Sequence, residues 1–305
     1  LLMLFFSCSD NAEELEKKGA RALIKKDFET ALDLFHQALE LNPEYDEALF
    51  KRGQCYYGLA EYENALVDFE SALKKNPENL PIHFNRGLCL MELKNYKDAL
   101  LSFEKLEFIQ KENPSIYLQK ANCHFKLGSY KKAASYYTTS LTYFKDSISI
   151  NLLRGSSYFQ LGQYKKVLAD LEYYIPLKET PTLAIEYAAI SKFKLEDYAG
   201  SINYFDQMIE NGKMPIGENL KTMVDALVFS AQDCIAQEDR DQGLELLTRA
   251  TTLDPLNKDA FYYRGLLFLD MANRFDACMD LNTALKNGQT KALNAMNYSC
   301  SDFMH

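Results

Sequence analysis

Residues Asp46 to Asn79 run DEALFKRGQCYYGLAEYENALVDFESALKKNPEN. Tyr62 of this stretch has ring-bearing counterparts at a constant step of 34 residues: Phe28, Tyr96, Tyr130, Tyr164 and Tyr198. Its Asn76-Pro77 repeats Asn42-Pro43 at the same step. Stepping outward in both directions, repeats begin at Ala12, Asp46, Leu80, Pro114, Ile148 and Thr182. After eight inserted residues, 216–223, two more begin at Val224 and Lys258. Eight repeats thus cover residues 12–291 of 305.

The columns support this register. Position 8 is always small: Gly19, Gly53, Gly87, Ala121, Gly155, Ala189, Ala231 and Gly265. Position 20 is mostly Ala, as in Ala31, Ala65, Ala99, Ala133 and Ala277. Position 24 is large and apolar: Phe35, Phe69, Phe103, Tyr137, Leu171, Phe205, Leu247 and Leu281. Position 27 is looser, with Ala38, Ala72, Leu106, Ser140, Tyr174, Met208, Ala250 and Ala284. Spacing of i, i+4, i+7 puts positions 20, 24 and 27 on one face of an α-helix. Position 8 lies on a preceding helix, and small residues there let two antiparallel helices approach closely. One such hairpin cannot bury its apolar face alone, so it must stack on its neighbours.

Composition agrees. The chain has 13 Gly and 8 Pro, about half the usual shares of roughly 7% and 5%, which favours helix over turn. Hydrophobic residues are 47% and charged residues 25%, the range of a packed soluble protein. By size alone 305 residues suggest about two domains, but repeats are counted differently, and the chain reads as one continuous array. A net charge of −9 disfavours nucleic acid, which demands an excess of Lys and Arg.

These columns resemble the tetratricopeptide repeat, over about nine-tenths of the chain. The resemblance implies an all-α protein, an α-solenoid of about eight helical hairpins forming a right-handed superhelix. Some positions depart from the family pattern. Its position-4 Trp is replaced by Leu15, Leu49, His83, Tyr117, Asn151, Ile185, Leu227 and Phe261, consistent with a chain without Trp. Its position-7 Leu is basic in Lys18, Arg52, Arg86, Lys120, Arg154 and Arg264. Pro176 is expected to end the second helix of repeat 5 early. The insertion 216–223 either lengthens the first helix of repeat 7 or forms a loop.

The two ends carry further expectations. Residues 1–11 begin Leu-Leu-Met-Leu-Phe-Phe-Ser-Cys, which resembles the tail of a bacterial lipoprotein signal peptide, with Cys8 as the lipidated residue. The alternative is a stub, Leu1 to Phe6, packing on the first repeat. Residues 292–305 are expected to cap repeat 8, starting with a short helix from Ala292 to Met296. The stretch from Cys278 to Gly288 followed by Cys300 resembles the C-terminal ending of envelope repeat proteins of the Bacteroidetes group. On that resemblance a Cys278–Cys300 disulfide is sterically allowed; two buried free thiols are the alternative. Cys55, Cys89 and Cys123 share position 10 of successive repeats and read as small core residues, as does the lone Cys234.

No catalytic constellation is present in the sequence. His36, His83, His124 and His305 form no pair at ligand spacing. There is no phosphate loop, nucleophile elbow or calcium loop, and no Cys pair has zinc spacing. No cofactor, metal or catalytic residue is expected. The resemblance instead points to first-helix positions 2, 5, 9, 12 and 13, which line a concave groove in the family. Those columns are apolar and aromatic with amides between, suited to an extended or helical segment. The candidate groove residues are Phe50, Gln54, Tyr57, Phe84, Leu88, Leu118, Asn122 and Phe125. Position 12 has an equal alternative reading as helix packing. A clamp for acidic chaperone tails needs Lys at positions 2 and 5, which no repeat has, and Glu13, Glu16, Glu44 and Glu47 would repel such a tail. The expected function is a non-enzymatic scaffold for a protein or peptide, anchored in the bacterial envelope through an N-terminal lipid. A cytosolic adaptor is the alternative. A carbohydrate-binding uptake lipoprotein is a third reading, weakened by the short insertion.

Overall fold

The computed structural model describes residues 11–145, 147–172, 175 and 181–300. The described residues are built of helices. The chain divides into two compact units, residues 1–150 and 151–305, where the sequence reads as one array. Each repeat packs only on its neighbours, so a stretch of hairpins forms its own core wherever the chain is divided.

The first unit holds four hairpins. They are α1 (Ala12–Ile24) with α2 (Phe28–Leu41), α3 (Asp46–Gly58) with α4 (Tyr62–Lys75), α5 (Leu80–Glu92) with α6 (Tyr96–Ile109), and α7 (Pro114–Lys126) with α8 (Tyr130–Leu141). The division falls in the first turn of α9 (Ile148–Gln160). The second unit continues with α10 (Tyr164–Leu171), α11 (Thr182–Lys194), α12 (Tyr198–Glu210), α13 (Gly217–Ala236), α14 (Arg240–Leu253), α15 (Lys258–Asp270), α16 (Arg274–Lys286) and α17 (Lys291–Ser299). Within each unit, paired helices pack on each other, and first helices also touch the next first helix, as α1 with α3 and α13 with α15.

Two local rules shape every hairpin. The aromatic column at 34-residue spacing is the first residue of each second helix through repeat 6. In front of it, position 15 is left-handed in all eight repeats: Lys26, Ala60, Lys94, Gly128, Gly162, Glu196, Glu238 and Ala272. Position 16 then donates its backbone N–H to the carbonyl of position 11, as Asp27 to Ala22, Glu61 to Tyr56 and Asn273 to Phe268. This closes the last turn of the first helix by the 6→1 bond of a Schellman motif. Where position 16 is Asp27, Asn95, Asp197, Asp239 or Asn273, its side chain also caps the second helix.

The core follows the columns. All eight position-24 side chains are buried, from Phe35 to Leu281. An added Cβ at Gly19, Gly53 or Gly87 would stand 2.6–2.8 Å from the ring of Phe35, Phe69 or Phe103. Glycine there is therefore a condition of close approach, which the small-residue column implied.

The basic position-7 residues have a purpose the columns did not reveal. Arg52, Arg154 and Arg264 each grip an aspartate 16 residues on, Asp68, Asp170 and Asp280, with two N–H donors at 2.6–2.9 Å. Repeat 3 has Ser102 at that position, and Arg86 bonds both Ser102 and Glu70. In repeat 4 the aspartate becomes Tyr136, and Lys120 lies 4.4 Å over its ring while pairing with Glu107. In repeats 2, 3, 4, 5 and 8 this position staples the two helices of a hairpin, while Lys18 of repeat 1 pairs with Glu14 on its own helix.

Both irregular segments take definite forms. Residues 217–223 add two turns to α13, which runs for 20 residues against 13 in the other first helices. The added turns bury Met223 completely. Helix α10 has eight residues and ends at Leu171, short of its 12- to 14-residue counterparts. Pro176, expected to end it, lies outside the described residues, as do residues 1–10 with Cys8, and His305. Helix α17 covers repeat 8 with Ala292 and Met296 buried, and Cys278 and Cys300 are disulfide-bonded at a Cα separation of 5.7 Å.

Candidate functional site

The eight groove residues picked from the sequence are half-buried side chains on α3, α5 and α7. Phe50 rests on the core ring of Phe69 with centroids 6.0 Å apart, and Phe84 on Phe103 at 5.8 Å. Each is thus fixed from behind by the position-24 ring of its own repeat. Phe84 also lines an open cavity of about 360 Å³ whose edge carries Asn85, Gln110, Asn113 and Ser115 and whose floor includes Leu80 and Leu106. The combination offers an apolar seat with amide hydrogen-bonding groups beside it, the chemistry that holds a peptide backbone.

The other candidates divide. Tyr57 and Phe125 pack edge-on against Tyr62 and Tyr130, the first residues of their second helices, at 5.4 Å. Position 12 therefore closes the hairpin as well as facing outward. Asn122 has its carbonyl occupied: the Tyr137 hydroxyl donates to it at 2.7 Å. Its amide side chain is part of the repeat-4 core arrangement. Gln54, Leu88 and Leu118 keep half-exposed positions between the rings.

The acidic rim differs from expectation. Glu16 is buried, because Lys51 of the next repeat reaches it at 2.5 Å and bridges on to Glu47 at 3.0 Å. Glu13 pairs with Lys17 and Glu44 with Lys75, so each rim carboxylate has a lysine partner. Three lysines thus offset part of the charge of four carboxylates, and the exposed pairs among them are weak.

A second aromatic surface, in the second unit, was passed over in the sequence. Here position 6 carries Tyr187, Phe229 and Tyr263, where the first unit has Lys51, Asn85 and Gln119. Phe159 stacks on Tyr187 at 4.3 Å, and Phe229 lies against Phe193 at 6.2 Å and Tyr198 at 5.1 Å. Beyond them a cavity of about 290 Å³ is lined by Gln232, Ile235, Ala236, Tyr263, Leu266, Leu267 and Asp270. The signal available was an aromatic residue at position 6 in three consecutive repeats.

The thiols fit a core role. Burial pushes Cys55 and Cys89 up to about 11 and Cys123 up to about 12, well above a reactive thiol. His83 and His124 are nearly buried, and burial lowers both below the usual histidine value. Among the described residues no group of three or more His, Cys, Asp or Glu is placed to hold a metal. Among them, too, no helix is long and apolar enough to cross a membrane.

Known families bear on this arrangement. Residues 114–147 and 231–277 match models of the tetratricopeptide repeat, and residues 25–106 match the model described as anaphase-promoting complex, cyclosome, subunit 3. No curated protein matches at a significant level. Among solved structures, the chain is similar to a tetratricopeptide repeat protein from Parabacteroides merdae. That pair has a TM-score of 0.55 and 18% identity over 84% of this chain and 98% of the other. It is also similar to PilW, a type IV pilus biogenesis factor, with a TM-score of 0.54 and 20% identity over 70% of this chain and 98% of PilW. MamA from Desulfovibrio magneticus gives 0.53 and 18%, over 56% and 99%. At these identities the likeness is one of fold. The architecture defines a helical-hairpin repeat protein. Over residues 114–147 and 231–277 the chain carries tetratricopeptide repeats, and its fold is that of a tetratricopeptide repeat protein. Such repeats generally serve as scaffolds for protein–protein interaction and are generally non-enzymatic.

Proposed function

We propose that the chain is a non-enzymatic scaffold that holds a partner protein or peptide on its first-helix faces, in the bacterial envelope. The observation that carries the binding role is the Phe84 cavity: an apolar seat, fixed from behind by Phe103 and edged by Asn85, Gln110 and Asn113. Phe50 extends the same face one repeat earlier. The envelope placement is supported by the Cys278–Cys300 disulfide, a bond that persists in oxidising compartments and is rare in a reducing cytosol. The lipoprotein-like run ending at Cys8 supports it further, with a lipid on Cys8 as the membrane attachment.

Replacing Phe50 and Phe84 together by Ala tests the binding face. Both are half-buried, so circular dichroism should remain helical while pull-down from the native source loses the partner identified by mass spectrometry with the parent chain. An unchanged yield would remove this face from the function. Non-reducing peptide mapping of the protein from its source should recover Cys278 and Cys300 in one linked fragment. Two free thiols would overturn the envelope placement.

A further inference from the structure

Repeats 6–8 present a surface of different chemistry from the Phe84 face. Its first part is a ring platform. Tyr198 and Phe229 stack at 5.1 Å with an angle of 27°, Phe193 closes the back at 6.2 Å, and Phe229 is 41% exposed. Its second part is the apolar cavity between Ile235 on α13 and Tyr263 and Leu266 on α15. Gly243 makes room for this cavity wall, since a Cβ there would meet Ile235 at 2.8 Å.

The rim of both parts is acidic. Asp233 is exposed one turn beyond Phe229 on the same helix. Glu196 precedes Tyr198 by two residues, and the Tyr198 hydroxyl is raised first by burial and then by the charges of Glu196 and Asp233. Asp270 stands at the cavity edge, bridged to Arg240 at 2.5 Å. Residues 217–270 carry ten Asp and Glu against five Lys and Arg. Four of those five cations are engaged in ion pairs: Lys221 with Glu218, Arg240 with Asp270, Arg249 with Asp206, and Arg264 with Asp280. The face also contains its own example of the contact a cation makes here, because Lys194 lies 5.8 Å over the Phe193 ring. Lys192 is tied to Glu172 and Asp197.

We propose that this face takes a basic, extended segment of a partner protein, with a Lys or Arg on the Tyr198–Phe229 rings and an apolar side chain in the Ile235–Tyr263 cavity. The assignment rests on the scaffold reading above and names the chemistry of a second face. Rings attract a cation through their negative faces, and the attraction grows beside carboxylates. Phe229 and Ile235 are six residues apart on one helix, about 9 Å along its axis. A segment in the extended polyproline II form spans that distance with side chains three residues apart on one face, at about 3.1 Å per residue. The acidic rim repels an anionic lipid surface or a nucleic acid, so a basic polypeptide is the matching occupant.

Fluorescence anisotropy with the full chain tests this. The probe is a fluorescein-labelled peptide RSSLRSSLRSSL, which sets Arg and Leu three residues apart; the comparisons are ESSLESSLESSL and RSSSRSSSRSSS. The Arg/Leu peptide should bind at least tenfold more tightly than either comparison, and raising salt from 50 to 300 mM should weaken it severalfold. Phe229→Ala and Asp233→Lys, both at exposed positions, should each weaken binding fivefold or more. The Phe50→Ala/Phe84→Ala chain should bind the probe as the parent does. Equal binding of the acidic peptide, indifference to both second-unit variants, or no binding at millimolar protein overturns the assignment. None of these outcomes touches the pull-down on the Phe84 face, so the two readings fail separately.

Discussion

At Gly53 the absence of a side chain decides how closely two helices can lie. The ring of Phe69 occupies the space where a Cβ would sit, 2.7 Å away. Alanine favours helix over glycine by about 1 kcal/mol, but forcing the ring aside costs about 1–3 kcal/mol. Gly53→Ala should therefore lose up to about 2 kcal/mol in urea unfolding. Gly155→Ala should lose less, because its neighbour Leu171 stands 3.3 Å away and can yield by a few tenths of an ångström. Equal losses at the two sites would show that helix approach is not what fixes glycine in this column. The left-handed residue at position 15 was invisible in the sequence for the opposite reason. Six of the eight are not glycine, and the conformation is imposed by the Schellman bond and the following cap rather than by residue type.

Helices were the most legible features. Each second helix through repeat 6 begins at the ring that set the period, and first helices begin where the repeats do except in repeat 7. Pairing of position 7 with position 23 was readable but hidden, since three repeats show Arg and Asp while repeats 3 and 4 substitute Ser and Tyr. Only the geometry shows that Lys120 keeps the link to position 23 through the Tyr136 ring and takes Glu107 as its ion-pair partner. At the C-terminal end, α17 is fastened by the Cys278–Cys300 bond across 22 residues. A loop of that length is worth about 3 kcal/mol when closed, by restriction of the unfolded chain. Cys300→Ser should lower the urea midpoint and make the amides of α17 exchange with deuterium faster than those of α15. Unchanged exchange would mean that buried Ala292 and Met296 hold the cap alone.

For the whole chain, the candidate site was half legible. Columns could show which residues share the first-helix faces, because periodicity is a property of sequence. They could not show which of those residues are consumed from within, as Asn122 is by Tyr137 and Glu16 by Lys51. They also favoured the better-matched early repeats and so left the Phe229 platform aside. Stability should carry a whole-chain pH signature. Burial holds His83 and His124 below their usual 6.5, so the folded chain binds fewer protons than the unfolded one as pH falls past that value. Their contribution is present above about pH 6.5 and is lost on acidification. The melting temperature should drop between pH 7.5 and 5.5, and His83→Gln/His124→Gln should flatten that drop. A parallel curve for the variant would clear both histidines of the effect.

The long helix α13 has one more consequence. Its additional turns precede Val224, where the seventh repeat's own pattern begins, so they extend the helix by about 10 Å without rotating any later side chain. At its leading end Ile216, Gly217 and Glu218 are exposed. The molecule therefore possesses a natural splice point: sequence lengthened or shortened there alters reach while leaving the phase of everything downstream intact. The array can acquire a new appendage at that place by a single insertion event, with no second change to restore register.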